Sequence, residues 1–304
     1  MYKNIKAAVV GSINMDIILK ADKIPQVGEN LLGSQYAYAN GGKGANQATA
    51  LARLGAQTKM IGKVGSDVNG NNLIENLHRN NIDASGVSTE GSSTGLAAIL
   101  IDGDGNNRII VYEGANAEIE TEEAIDSLGT DRDLLLVQFE TNEDVVAGVV
   151  NHAVKNNIVT VIDCGPAKEF NLERMQGATI ISPNESETFA LTGVSPEDEE
   201  SVLEASKILM ARGKAKYVVL KLGSRGSSVW DGNTLTFIEP YKTTVVDTTA
   251  AGDCFTAAMA LEYVKSGDIY AACRMGNKAG AIAVSRLGAA DSMPVLEEVL
   301  SFGE

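Results

Sequence analysis

Short apolar runs rich in β-branched residues alternate with longer amphipathic stretches along most of the chain. The runs have the length of strands that are buried on both faces, and the stretches between them have the apolar spacing of helices. Regular alternation of strand and helix indicates a parallel sheet covered by helices on both sides. The predicted strands are IKAAVVG, TKMIGKVG, DLLLVQFE, VTVIDCG, ATIISPN, YVVLKLG and, near the C-terminus, TTVVD.

Two amphipathic stretches show helix boundaries. Residues 142–156 read NEDVVAGVVNHAVKN, and residues 196–212 form the second predicted helix. Ser195 precedes the second helix, and acidic residues fill its first turn. Ser195 is therefore the expected N-cap, since a short hydroxyl accepts from a free first-turn amide and acidic side chains favour the helix N-terminus.

Two regions, residues 14–40 and 95–114, interrupt this alternation. The first lacks a helical pattern, and the second reads GLAAILI, DGDGNN and RIIVYEG, a β-hairpin around a Gly/Asp/Asn turn. We expect both to form a small sheet inserted in a single α/β domain that spans residues 1–304. Each region follows a core strand, where open α/β sheets bind ligands, so a lid over a site is the favoured interpretation. A purely structural hairpin is the alternative. The apolar face of the hairpin also leads us to expect a homodimer through this lid.

Composition narrows the functional classes. The chain has 304 residues, 44% of them apolar, and a net charge of −15, which disfavours binding to nucleic acid or to an anionic membrane.

Its three cysteines, Cys164, Cys254 and Cys273, are far apart and lack paired spacing, so we expect neither disulfides nor a zinc site. We therefore expect the protein in a reducing cytoplasm. No apolar run is long enough for a signal peptide or a membrane span. The two histidines, His78 and His152, are expected to be solvated helix residues.

The segment TTVVDTTAAGDCF places two carboxylates, Asp247 and Asp253, around a turn of small residues that leads into a helix. At such a helix N-terminus, unpaired backbone amides and the helix dipole favour an anion, and small side chains leave those amides accessible. An aspartate there would repel the anion unless it takes a proton from a nucleophile that attacks it. Phosphoryl transfer to an alcohol requires this arrangement. Taken alone, Asp253 could equally be a first-turn acid that stabilises the helix.

A second glycine-rich turn, ANGGKGANQA, joins another strand-like segment to a helix of small residues. It is not a Walker A loop, because Gly44 stands where Ser or Thr is required. Gly41 and Gly42 would let a ligand approach the backbone, and Lys43 and Asn46 would supply donors for hydroxyls or for phosphate. A purely structural turn remains the alternative.

Polar side chains also follow several predicted strands, at the carboxyl edge of the sheet where ligands bind. Asn14 and Asp16 follow the first strand in GSINMD, and Glu140 and Asp163 end two later strands.

Two further motifs, SPNESE and KLGSRG, each follow a predicted strand. Asn184 and Glu187 could hold a hydrated Mg²⁺, but a helix cap explains their spacing equally well. In KLGSRG, the glycines and Ser224 could pass beside a nucleotide.

The motifs GGKGANQA and DTTAAGDCF together resemble the two signatures of the ribokinase, or PfkB, family of carbohydrate kinases. The segments GSINMD, STGLAAILI, EGANA, SPNESE, KLGSRG and NKAGAIAVSRLGA resemble the family in order and spacing, over essentially the whole chain. The resemblance implies a ribokinase-like three-layer α/β/α sandwich with a mostly parallel central sheet and a small β-sheet lid. It also implies phosphorylation of D-ribose at its 5-hydroxyl by ATP, with Mg²⁺ and an activating K⁺.

Site residues follow from the same resemblance, position by position. The catalytic positions are Asp253 as general base, Ala250, Ala251 and Gly252 as anion hole, and Lys43. The sugar-binding positions are Asn14, Asp16, Gly42, Lys43, Asn46, Glu140, Asp247 and Asp253. The nucleotide positions are Asn184, Lys221, Gly223, Ser224, Gly226, Gly252, Asp253, Asn277 and Glu187, which governs Mg²⁺ through water. The K⁺ ligands are Asp247, Thr249, Arg286, Gly288 and Ser292, mostly through backbone carbonyls.

The sequence departs from the family pattern at three positions. Thr249 and Cys254 stand at positions where related sequences often carry other residues. The segment DCGPA around Asp163 also differs from the form typical of the family, and the role of Asp163 stays open. Cys254 is expected to pack as a small apolar residue.

Several alternatives to ribose phosphorylation are compatible with parts of the sequence. Deoxyribose, fructose, nucleosides and sugar phosphates are other acceptors within the family, although Asn14 and Asp16 favour a neutral pentose. Arg108 would suit a sugar phosphate but is expected to be a solvated hairpin charge. A dinucleotide-dependent oxidoreductase is not supported, because this sequence has no G-x-G-x-x-G motif after its first strand. A non-catalytic sugar sensor would be expected to lose Asp253.

Overall fold

The computed structural model describes residues 1–303, and Glu304 lies outside that range. Within it the chain forms thirteen strands and nine α-helices. The strands are β1 (Lys6–Val10), β2 (Asn14–Lys20), β3 (Gln35–Gly41), β4 (Gln57–Gly65), β5 (Asp83–Gly91), β6 (Gly95–Ile101), β7 (Asn107–Tyr112), β8 (Leu134–Gln138), β9 (Val159–Asp163), β10 (Ile180–Ser182), β11 (Tyr217–Lys221), β12 (Ser227–Trp230) and β13 (Leu235–Ile238). The helices are α1 (Lys43–Arg53), α2 (Val68–Arg79), α3 (Thr121–Leu128), α4 (Glu143–Lys155), α5 (Glu185–Thr192), α6 (Glu199–Gly213), α7 (Ala251–Ser266), α8 (Ile269–Ala283) and α9 (Leu296–Ser301).

Nine strands form the central sheet in the order β13-β12-β11-β10-β9-β8-β1-β4-β5. All neighbours from β5 to β11 pair in parallel, and only β12 and β13, at one edge, are antiparallel. The predicted strands that form this parallel core are mostly apolar because helices cover both faces. The three strands at the two edges, β5, β12 and β13, were not predicted from the sequence.

Helices cover the central sheet on both sides. Alternate residues of β1 separate the two apolar layers, with Val9 in one cluster and Val10 in the other. Helices α1, α2, α7, α8 and α9 contribute to the first cluster, and α3, α4, α5 and α6 to the second. The predicted three-layer α/β/α architecture is therefore confirmed.

The smaller sheet has four strands in the order β3-β2-β6-β7. Its register places Asp16, Ala97 and Val111 in one row across three strands, and Ile17, Ala98 and Ile110 in the next. Directly paired residues point to the same face of a sheet, so Asp16 and Ile110 lie on opposite faces. Asn14 and Asp16 therefore lie on β2 of this sheet, within the region 14–40 that was expected to form it and beyond the end of β1 at Val10.

Two local predictions were wrong. The segment TTVVD is not a buried strand: Val245 and Val246 are 63% and 57% exposed, and the amides of Val246 and Asp247 donate to the carbonyl of Val284 at the end of α8. The segment looks strand-like because it is β-branched, but it pairs with a helix terminus and no sheet partner covers it.

The N-cap of α6 was also misassigned. It is Asp198 and not Ser195: the Asp198 carboxylate accepts from the amide of Ser201, whose hydroxyl lies 3.0 Å from the Asp198 amide. This reciprocal capping box satisfies two free amides, which a single hydroxyl at residue 195 could not do.

None of the helices in residues 1–303 is long and apolar enough to cross a membrane. All three cysteines are free and buried. His78 is exposed on α2, whereas His152 on α4 is half-buried, with Nε2 2.9 Å from the carbonyl oxygen of Gly129.

Candidate active site

The two glycine-rich motifs meet at the carboxyl edge of the central sheet. Helix α1 follows ANGG and helix α7 follows DTTA, and the two helices pack against each other. Asp163 is the last residue of β9, and Glu140 lies two residues beyond β8. Parallel strands bring their carboxyl ends to one edge, so side chains from distant parts of the sequence converge there.

Asp253 lies at the centre of this convergence and is only 3% exposed. Its Oδ2 accepts from Asn46 Nδ2 at 3.1 Å, and its Oδ1 accepts from Gln47 Nε2 at 3.1 Å. The ammonium of Lys43 is 3.6 Å from Oδ1. Burial raises the pKa of Asp253 to about 6; Lys43 opposes this shift and the nearby charge of Asp163 adds to it. A carboxylate that titrates close to neutral pH can act as a general base.

The turn before Asp253 starts helix α7. Ala250 is the N-cap, with a left-handed backbone at φ 58°, and its carbonyl accepts from the amide of Cys254 at 2.9 Å. The amides of Gly252 and Asp253 precede the first position that has an intrahelical acceptor, so they are available to an anion. A Cβ added at Gly252 would meet only the end of the Lys221 side chain, with Nζ 3.7 Å away. The ammonium of Lys221 therefore lies beside this turn.

The turn before α1 holds its shape through Gly42. At φ 88° its backbone suits glycine, and a Cβ there would lie 2.7 Å from the carbonyl oxygen of Ser12 and 2.8 Å from the amide of Asn14. Glu140 Oε2 accepts from the Lys43 amide at 3.0 Å and from the hydroxyl of Ser12. These contacts tie the start of α1 to the ends of β1 and β8.

Lys43 faces several carboxylates at this edge. Burial lowers the pKa of its ammonium, but the nearby carboxylates raise it above its usual range, so the side chain stays charged. In order of effect they are Asp253, Asp163, Glu187 and Glu140.

A cleft of about 600 Å³ opens between the central sheet and the small sheet. Asn14 is held in its wall by Asn116, whose Nδ2 donates to Asn14 Oδ1 at 2.7 Å and whose Oδ1 accepts from the amide of Ile13 at 2.9 Å. The other polar and aromatic lining residues include Ser12, Glu140, Tyr112 and Lys168.

Asp16 is buried on β2 and packs directly over Gly41, where any Cβ would overlap its carboxylate. Burial, with a smaller contribution from the charge of Glu140, raises the pKa of Asp16 to about 7. Asp16 is therefore a second carboxylate at this edge that titrates near neutral pH.

The predicted nucleotide residues lie on the other side of Asp253. Asn184 and Glu187 form a capping box at the start of α5, with the Asn184 amide 2.7 Å from Glu187 Oε2. Lys221 ends β11 and donates to Asp163 Oδ1 at 3.0 Å, with Glu187 Oε2 3.8 Å away. Gly223 and Ser224 form a 3-10 turn that ends at Gly226. Asn277 is buried on α8 and donates to the carbonyls of Ile238 and Glu239.

The predicted cation-binding residues are only partly joined in the structure. Asp247 Oδ1 accepts from the Thr249 amide at 2.9 Å, and its Oδ2 accepts from the Gly288 amide at 3.0 Å. The Arg286 guanidinium pairs with Glu298, and the hydroxyl of Ser292 donates to the carbonyl of Ala289.

Several residues with functional contacts were not singled out in the sequence. Ser12, Gln47 and Asn116 lie within the segments GSINMD, GGKGANQA and EGANA and could have been found by their position, whereas the others carry no local signal. The full set is Ser12, Gln47, Tyr112, Asn116, Gln138, Lys168 and Thr256.

The fold and this arrangement match one family. The model for pfkB family carbohydrate kinases matches residues 4–296. The ribokinase of Bacillus subtilis is 34% identical over 293 residues, which cover 96% of this chain and 97% of that protein. The deoxyribokinase of Salmonella typhi is 30% identical over 305 residues, covering 98% of this chain and 99% of that protein. The structure of Arabidopsis thaliana ribokinase complexed with ribose and ATP superposes with a TM-score of 0.90 at 31% identity, covering 99% of this chain and 98% of that one.

The chain therefore belongs to the PfkB family of carbohydrate kinases. The family and the fold expected from the sequence motifs are confirmed.

Proposed function

We propose that this protein is a ribokinase, which transfers the γ-phosphoryl group of ATP to the 5-hydroxyl of D-ribose. The observation that carries the proposal is the environment of Asp253: a nearly fully buried carboxylate at the N-terminus of α7, within reach of Asn46 and Lys43 of α1. The ribokinase relatives at about one-third identity over nearly the whole chain support ribose as the acceptor.

Asp253 acts as the general base in this mechanism. Its carboxylate takes the proton of the sugar hydroxyl as the sugar oxygen bonds to the γ-phosphorus of ATP. The bond from that phosphorus to the β–γ bridging oxygen breaks, and ADP and ribose 5-phosphate leave. Asn46 Oδ1 is buried next to the base without a hydrogen-bond partner in the protein. An unsatisfied buried acceptor beside the base suits a sugar hydroxyl as donor.

Charge that develops on the transferred group is stabilised by the turn at residues 250–253. The amides of Gly252 and Asp253 act as an anion hole, and the ammonium groups of Lys43 and Lys221 supply positive charge beside it. Donors held in place before the reaction stabilise the transition state without further reorganisation.

ATP would extend from this turn toward α5 and β11. Asn184, Lys221, Gly223, Ser224, Gly226 and Asn277 are the residues proposed to contact it. Mg²⁺, when bound, neutralises phosphate charge. Among residues 1–303 no group of three or more Asp, Glu, His or Cys side chains is arranged to hold a metal. Glu187, whose carboxylate lies 3.8 Å from the Lys221 ammonium, would contact such an ion through water.

The loop that contains Asp247 is the proposed K⁺ site. Asp247, Thr249 and Gly288 are joined by hydrogen bonds, and Oδ2 of Asp247 keeps lone-pair capacity for a cation. Arg286 and Ser292 would contribute backbone carbonyls. The loop leads directly into the anion hole, so an ordered cation there would hold that turn in place.

On the sugar side, Asn14, Asp16, Gly42, Lys43, Asn46, Glu140 and Asp247 are the proposed contacts. Asn14 and Glu140 line the cleft, and Asp16 lies on the same face of the small sheet as Val111, another lining residue. The small sheet is therefore proposed as a lid.

The 2-deoxyribose alternative is favoured by one observation, the full-length similarity to a deoxyribokinase.

The small sheet is also the proposed homodimer contact. Its second face carries exposed apolar side chains, among them Tyr36 and Ile110, which are 73% and 70% exposed. A second copy that covers this face would remove the exposed apolar surface from water.

A coupled ADP-release assay tests the proposal. The purified protein is assayed with ATP and Mg²⁺ against ribose, 2-deoxyribose, fructose, adenosine and fructose 6-phosphate. We expect the highest kcat/KM with ribose. A higher value with 2-deoxyribose would establish the alternative, and no ADP release above background with any acceptor would contradict both.

A further inference from the structure

One buried amide joins two carboxylates in the centre of the site. The two hydrogens of Gln47 Nε2 reach Asp253 Oδ1 at 3.1 Å and Asp163 Oδ2 at 3.0 Å. Gln47 Oε1 accepts from Gln138 Nε2 at 2.6 Å, which fixes the orientation of the amide. Asp163 and Gln47 are both 0% exposed, so water does not compete for these contacts.

Asp163 binds two elements besides α1 and also the loop that follows its own strand. Its Oδ2 accepts from the hydroxyl of Thr256 on α7 at 2.9 Å, and its Oδ1 accepts from Lys221 on β11 at 3.0 Å and from the amide of Gly165 at 3.2 Å. Thr256 follows Asp253 by one helical turn, so this bond fixes the rotation of α7. Lys221 is the ammonium beside Gly252. The carboxylate at 163 is thus bonded to groups on both sides of the base.

We infer that Asp163 is a positioning residue, which holds Asp253 in place through Gln47 and aims the ammonium of Lys221 at the anion hole. The inference rests on the proposed function, in which Asp253 is the base. It gives a role to the departure DCGPA, which the motifs alone leave unexplained.

The charges around the pair define the expected effect. Asp253 faces Lys43 of α1 and Asp163 of β9; Asp163 faces Lys221 of β11 and Lys43, and Glu187 of α5 lies behind Lys221. Burial raises the pKa of Asp163, but the charges of Lys221 and Lys43 lower it by more. The net pKa is below its ordinary value, so Asp163 remains ionised. Its negative charge then raises the pKa of Asp253. Ionised Asp163 therefore makes Asp253 a stronger base at neutral pH.

The pKa of Asp253 is measured directly in three variants. The protein is labelled with ¹³C at the aspartate side-chain carboxyl and titrated by NMR, with the Asp253 resonance assigned by its loss in Asp253→Asn. In Asp163→Asn we expect the midpoint of Asp253 to fall by at least about half a pH unit, because a like charge at this range is removed. In Gln47→Met it should rise, because a hydrogen bond to the carboxylate is lost. Asp131→Asn removes the same charge at an exposed aspartate far from the site and should leave the midpoint in place.

Activity gives a second readout. In Asp163→Asn we expect kcat for ribose to fall about tenfold, with the KM for ribose within about threefold and the acid limb of kcat/KM moved to lower pH. An unchanged Asp253 midpoint in Asp163→Asn, or an equal change in Asp131→Asn, would overturn the inference and leave Asp163 a structural residue. If Asp163→Asn does not fold, the rise expected in Gln47→Met decides the matter, and its absence overturns the inference. The NMR titration needs no turnover, so failure of the proposed function appears separately, as no ADP release by the unmodified protein.

Discussion

The side-chain amide of Asn46 donates to the carboxylate of Asp253 at 3.1 Å, although 207 positions separate the two residues. This bond joins the two glycine-rich motifs that were recognised separately in the sequence. It places a neutral donor and the proposed base within one buried site.

The first prediction concerns the base itself. Asp253→Asn keeps the shape of the side chain but cannot accept the sugar proton. We expect kcat to fall by about 10² or more, with ribose affinity by calorimetry within a few-fold, because loss of a general base is of this scale. Asp131→Asn, at an exposed surface aspartate, is the matched control and should remain fully active. Near-normal turnover of Asp253→Asn would refute the assigned role.

The pH dependence of activity follows from the same residue. Asp253 must be ionised to accept a proton, so kcat/KM should fall as the pH drops through about 6. Lys43 lowers the pKa of Asp253, so Lys43→Met should move this acid limb to higher pH. Lys3→Met, at an exposed lysine, should leave it in place. An acid limb that stays at the same pH in Lys43→Met would argue against the electrostatic role of Lys43.

Asp16 should make stability depend on pH. Its pKa is about 7 in the folded protein against 3.8 ordinarily, so between these values the folded state binds the proton more tightly than the unfolded state. Stability contributed by this group is therefore lost as the pH rises through 7. Asp16→Asn mimics the protonated form, and we expect it to stabilise the fold by on the order of 2 kcal/mol at pH 8 and much less at pH 5. Thermal unfolding at both pH values measures this, and an equal difference at each would contradict it.

The small sheet should mediate dimerisation. We expect light scattering to show a dimer at micromolar concentration and Ile110→Glu to show a monomer, because a charge would be buried in an apolar contact. Val68→Glu adds the same charge at an exposed apolar residue of α2 and should remain dimeric. A monomer in the unmodified protein would remove this proposal.

The proposed cation site should make activity depend on K⁺. Replacing Na⁺ by K⁺ at constant ionic strength should raise kcat, and Asp247→Asn should reduce the gain. Asp231→Asn changes another loop carboxylate that accepts backbone amides, and its response to K⁺ should match that of the unmodified protein. Indifference of the unmodified protein to the exchange would exclude a functional K⁺ site.

The sequence by itself determined the architecture and indicated where the candidate site lies. Strands buried on both faces are mostly apolar, so β1, β8, β9 and β11 could be recognised from local composition. Polar residues at the ends of these strands indicate the binding edge, because parallel strands end together. The two glycine motifs carry their own signal, since a backbone such as that of Gly42 admits no other residue.

Only the tertiary structure decided which of these groups touch. The edge strands β12 and β13 are short and partly polar, so the local pattern did not reveal them. The segment TTVVD has the composition of a strand, but within residues 1–303 it pairs with no strand, so the local pattern predicted a strand there wrongly. Asn116, Thr256 and Gln47 hold Asn14, Asp163 and Asp253 in place, and no local pattern shows which group each of them contacts. The pKa values of Asp16 and Asp253 depend on burial and on charges brought close by packing, which are long-range properties of the fold and leave no trace in local sequence.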